Sequence, residues 1–149
     1  MTEPDLRDLP LRALRQCGYY VRRVAFTGTH DGPVCPTADA LATVRVTLGT
    51  ASYTLSWPFS YHYKGENVNA ARYYHDPTRR YPHRQLHVRG FETEAGVELT
   101  AHEEPSAIHH PRAHLDDRAE DATAWIGKAY SAYREGRPDA LDPENYTRP

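Results

Sequence analysis

Over residues 42–48 apolar and polar side chains alternate, Val44, Val46 and Leu48 on one side and Thr43, Arg45 and Thr47 on the other. That period of two predicts a strand with one solvated face. Gly49 and Thr50 separate it from residues 51–57, where Tyr53, Leu55 and Trp57 alternate again, so the pair reads as a hairpin that Pro58 terminates. Residues 19–27 are rich in aromatic and β-branched side chains and precede turn chemistry at His30, Asp31, Gly32 and Pro33, which predicts a first strand. Residues 61–63, 68–74 and 85–89 read as further strands, and 97–100 as a short edge strand.

The period then changes. Leu115, Ala119, Ala122, Ile126, Ala129, Tyr130 and Tyr133 recur at steps of three and four, predicting an amphipathic helix over 115–135. Asp116, Asp117, Glu120 and Asp121 crowd its start and Lys128 and Arg134 its end, as the helix dipole favours, with Gly136 as the stop. Leu6, Leu9, Leu11 and Leu14 suggest a short N-terminal helix limited by Pro10. The connections are too short for parallel crossovers. The sequence therefore predicts an α+β fold, a single antiparallel sheet of about five or six strands packed on the 115–135 helix. Its core is expected from Val21, Val44, Val46, Leu48, Leu55, Trp57, Leu86 and Val88 with Ala122, Ile126, Ala129 and Tyr133. A chain of 149 residues fits one domain, here 1–138, with a loosely held tail over 139–149.

Composition adds limits. With 39% hydrophobic and 26% charged residues the chain is not disordered in type, and its apolar runs are far below the ~20 residues that span a bilayer. The acidic N-terminus does not read as a signal peptide, and two cysteines, Cys17 and Cys35, fit a reduced, cytoplasmic protein with no membrane partner. A net charge of −2 conceals an asymmetry, since residues 60–90 sum to +4 and residues 91–121 to −7. The opposed stretches can attract each other, or the basic one can meet a polyanion.

Candidate chemistry lies in the basic stretch. His83 and His87 fall an even step apart on a predicted strand, so their rings share one side, and Arg89 continues the row. Imidazoles that move protons and guanidinium groups that hold phosphate are what a metal-independent ribonuclease requires. The alternative is ordinary sheet histidines. His83 with His87, or His110 with His114, also form possible metal-ligand pairs, but no third ligand stands at a diagnostic spacing, so no metal or cofactor is expected. Phosphate-cradling glycine loops and nucleophile elbows are absent from the sequence.

The run Arg72-Tyr73-Tyr74-His75-Asp76, then Tyr81-Pro82-His83 and His87-Val88, followed by Glu104-Pro105-Ser106 and a C-terminal helix, resembles the TumE-type toxins of prokaryotic toxin–antitoxin modules. The resemblance covers residues 60–135. It implies a toxin-like protein acting on RNA and held by a cognate antitoxin. If RNA is cleaved, the chemistry of these residues assigns His87 as base and His83 as acid, with Arg72 and Arg89 holding the scissile phosphate. Tyr73, Tyr74, His75, Asp76, Arg79, Arg80, Tyr81 and Arg84 would form the binding surface. A non-catalytic adaptor, or a subunit of a larger assembly, using the same basic face is the competing expectation.

Overall fold

A computed structural model describes residues 33–55, 66–116 and 119–147. The fold is α+β, as the patterns predicted: a six-stranded antiparallel sheet with a C-terminal helix packed on it. In chain order the elements are β1 (Cys35–Thr37), α1 (Leu41–Thr50), β2 (Thr54–Leu55), β3 (Val68–His75), β4 (His83–Thr93), β5 (Gly96–Pro105), α2 (Pro111–Asp116), β6 (Glu120–Asp121) and α3 (Thr123–Arg134). A 3-10 turn over Pro143–Asn145 follows. The strands lie in the order β1-β5-β4-β3-β2, and β6 joins β1 along the outer edge of β5. No helix among the described residues is long and apolar enough to cross a membrane.

Three long strands form the frame. In the β3–β4 connection Asp76 accepts hydrogen bonds from the Thr78 backbone N–H and hydroxyl, and its own N–H donates to the Pro82 carbonyl, closing the loop. The β4–β5 turn ends at Gly96, whose φ of +144° and approach to the Thr37 carbonyl leave no room for a Cβ. Alternation then gives the sheet two unlike faces. On one, Val68, Ala70, Leu86, Val88, Val97, Leu99 and Ala101 are buried and pack with Val44 and Leu48 of α1 and Ile126, Ala129 and Tyr130 of α3. On the other stand Asn69, Ala71, Gln85, His87, Thr100 and Glu104, equally buried but mostly polar.

Several expectations are corrected. Residues 41–50 form a helix, not the first strand of a hairpin, and bury Val44, Thr47 and Leu48 at helical spacing while Val46 is 69% exposed. Seven residues of β-branched alternation satisfy both periods at their ends, and packing of that stripe on the sheet decides for the helix. Leu55, expected in the core, is exposed at the edge. Residues 97–100 belong to a longer strand in the sheet interior, since β5 has neighbours on both sides.

The long C-terminal helix begins at Thr123, not at 115. Glu120 and Asp121 pair with β5, the Ala122 N–H donates to the Ala101 carbonyl, and Asp121 accepts from the Thr123 N–H. An open sheet edge thus takes backbone that would otherwise continue the helix. Ile126 is fully buried and Gly136, at φ +99°, follows the last turn as expected. Gly127 is required because Cys35, a free thiol, lies where its Cβ would stand. Within the described part of the tail Leu141 is fully buried, its carbonyl accepts from the Tyr53 hydroxyl at 2.8 Å, and Tyr146 stacks edge-on against Trp125. The N-terminal helix, the strands over 19–27 and 61–63, and Val21 and Trp57 lie outside the described residues.

Candidate functional site: a histidine–carboxylate cluster and an arginine groove

Register creates the first cluster. His87 of β4 lies opposite His102 of β5, and Gln85 lies opposite Glu104, so three ionisable groups separated in sequence share one patch of the polar face. His87 Nδ1 is 3.2 Å from His102 Nε2, His102 Nε2 is 3.3 Å from Glu104 Oε1, and His87 Nδ1 is 3.8 Å from the same oxygen. Around them stands an orienting set. Asn69 donates to Glu66 Oε1 at 2.9 Å, which turns its Oδ1 toward His87 Nε2 at 2.6 Å. Gln85 accepts from the Ala107 N–H and so donates its amide to Glu104 Oε1 at 2.7 Å. His114 of α2 places Nδ1 2.9 Å from the Pro105 carbonyl and Nε2 3.5 Å from Glu104 Oε2.

The electrostatics follow from burial and contact. Burial is the largest influence on His87 and pushes its imidazole down to about 3, with the pull of Glu104 too small to offset it. Burial also pushes the Glu104 carboxyl up, but the His102 ring above all, with His87 beside it, outweighs it and holds the group well below the usual carboxylate range. The patch is a carboxylate among imidazoles. Of the candidate metal ligands among the described residues, His87, His102 and Glu104 are the set whose donor atoms converge.

A second cluster lies at the end of the sheet where β3 turns into β4. Glu103, fully buried on the apolar face, binds Arg84 through both carboxylate oxygens, accepts from the Tyr74 hydroxyl at 2.9 Å, and lies 3.5 Å from Arg79, which also reaches Glu120 at 3.2 Å. Beside this network is a groove of about 960 Å³, lined by Arg79, Arg80, Tyr81, Arg84, His109, His110, Pro111, Arg112, Ala113 and Asp116. His83 stacks on His109 at 4.1 Å and lies 4.9 Å from His75 and 5.6 Å from His110. Burial first, and neighbouring imidazoles second, hold His83 and His110 below the usual histidine range. Among the described residues neither Arg80 nor Arg112 has an acid within ion-pairing distance, and Arg80 lies over the Tyr81 ring at 5.3 Å.

The four residues expected to act together are not brought together. His83 and His87 do share a face, yet four positions of strand separate them by roughly 13 Å. Arg72 points to the opposite face, where it meets the Ala51 carbonyl at 3.1 Å and Asp142 at 3.4 Å. Arg89 faces Glu66 at 3.2 Å. Of the expected binding surface, Arg79, Arg80, Tyr81 and Arg84 line the groove, and His75 joins the imidazole row behind it. Tyr74 serves Glu103, Asp76 serves its turn, and Tyr73 is exposed on β3.

Neither of the two histidine pairs considered from spacing comes together: His87 meets His102 instead of His83, and His110 turns to the groove while His114 turns to Glu104. Sequence reasoning missed His102 and Glu104. Their even spacing is the available signal, and it counts only because β5 runs on past Thr100 to Pro105. No protein-family model, curated protein or solved structure matches the chain.

Proposed function

We propose that the protein binds RNA in the groove beside α2 and cleaves it as a toxin-like ribonuclease. The observation that carries this reading is the pairing of two arginines, Arg80 and Arg112, that no acid among the described residues engages, with two imidazoles, His109 and His110, in one groove. Guanidinium forks match phosphate oxygens, and the Tyr81 ring offers a base a stacking surface. His109 and His110 bring two imidazoles to this groove for the proton transfers, and because His110 Nε2 already accepts from the His83 backbone N–H at 3.3 Å, His109 is the proton acceptor. The site is thus moved from the β4 row to the β3–β4 loop and α2, and it needs no metal for the proton transfers. Arg79 and Arg84 are bound to Glu103 and set the floor of the groove. An antitoxin would act by covering the same surface.

The test uses a labelled single-stranded RNA and the intact protein. Arg80→Ala and Arg112→Ala should each weaken binding and lower the salt slope by about 0.7, the value for one phosphate contact on a single strand. His109→Ala and His110→Ala should slow cleavage by roughly 10²–10⁴ while leaving binding in place. Binding without cleavage in the parent would favour the adaptor reading. An RNA affinity indifferent to Arg80 and Arg112 would remove both.

A further inference from the structure

We propose that His87 Nδ1, His102 Nε2 and Glu104 Oε1 form a binding site for a first-row divalent cation, zinc being the closest match. The inference stands apart from the RNA reading, because none of the three donors lines the groove. Their atoms form a triangle with sides of 3.2, 3.3 and 3.8 Å. Its corners lie about 2.0 Å from a common centre, the length of Zn–N and Zn–O bonds.

Tautomers strengthen the argument. The Asn69 amide is fixed by Glu66, so its Oδ1 accepts from His87 Nε2, and the neutral His87 ring turns a lone pair at Nδ1 into the patch. Glu104 Oε1 brings a second acceptor. Without a cation, one proton on His102 Nε2 must serve both. A divalent ion satisfies all three donors at once and neutralises the buried carboxylate. Two imidazoles and one carboxylate favour zinc and its first-row neighbours over calcium or magnesium, which prefer all-oxygen shells.

The surroundings have the form of an outer shell. Asn69 holds His87, Gln85 holds Glu104 Oε1, and His114 stands beside Glu104 Oε2, so the two most buried donors each have a polar partner setting their orientation. His102, with 21% of its side chain exposed, is the donor nearest solvent. Three protein donors leave a tetrahedral ion one position for water or a small ligand.

The experiment titrates Zn²⁺ into chelator-treated full-length protein against a chromophoric competitor, and repeats it with Co²⁺ for its ligand-field spectrum. One ion per chain and a tetrahedral cobalt spectrum are expected. His102→Gln, at the most exposed donor, should lower affinity at least a hundredfold with the circular dichroism spectrum unchanged. Asn69→Ala should lower it 10–100-fold through loss of orientation. His83→Ala with His109→Ala, which removes the other imidazole cluster, should leave stoichiometry and affinity as they were. Absence of stoichiometric zinc in the parent overturns the proposal. So does retention of full affinity by folded His102→Gln, or loss of the ion in the His83/His109 variant.

Discussion

The two faces of the central sheet are buried to similar degrees but built from different chemistry. One carries Val68, Ala70, Leu86, Val88, Leu99 and Ala101 beneath α1 and α3. The other carries Asn69, Gln85, His87 and Glu104, which satisfy one another through directed hydrogen bonds. Apolar burial is undirected and stabilises in proportion to area. Polar burial stabilises little on balance, because each group must first give up water, but it fixes orientation. The apolar face therefore holds the fold, and the polar face holds its ionisable groups in fixed orientation.

The largest effect is expected where the apolar face ends in charge. Glu103→Ala leaves Arg84, 2% exposed, without its partner, and should cost about 3–5 kcal/mol in denaturant unfolding. A loss below 1 kcal/mol would mean that the network is solvated and that the division between faces is not sharp. Ile126→Ala should cost about 2–4 kcal/mol through the cavity it opens between α3 and the sheet, with metal affinity unchanged.

The histidine row gives a smaller effect with a definite sign. Above pH 6.5 His83 and His110 are neutral in the folded and the unfolded chain alike. Below it the unfolded chain binds protons that the folded rings resist, so their contribution makes stability fall as pH drops from 6.5 toward their lowered folded values. The double variant His83→Gln, His110→Gln should flatten that part of the pH–stability curve. A steeper curve would reverse the assignment. Smallest of all, Val46→Ala should change stability by no more than about 0.5 kcal/mol, whereas Val44→Ala should cost more than 1 kcal/mol. Equal costs would restore the strand reading of that segment.

The same contrast explains what the sequence disclosed. Leu86, Val88 and Ile126 were legible because undirected burial leaves a periodic trace, and the antiparallel class followed from short connections. The segment from Leu41 to Thr50 was misread because a short β-branched run carries both periods, and only contact with the sheet separates them. Even spacing puts His102 and Glu104 on one face, but it cannot name their partners, which come from another strand, because register is a tertiary fact. The four-residue His83–His87 spacing was correctly placed on one face, but spacing gives direction and not reach. Arg80 and Arg84 were anticipated as binding residues from local charge, yet nothing local distinguishes a guanidinium open to ligand from one held by Glu103.

Glu103 and Glu104 are adjacent on β5, and one backbone step sends their carboxylates to opposite sides of the sheet. That dipeptide imposes a rule on insertions and deletions. Extra residues in the turn at Glu94 and Ala95 would leave strand phase intact. A single residue added between Glu98 and Ala101 would bring Glu103 into the place of Glu104 but put His102 in the place of Glu103, toward the hydrophobic interior, and Ala101 into the imidazole patch. Viable length variation in this protein should therefore collect in the turn and avoid odd-numbered changes within the strand.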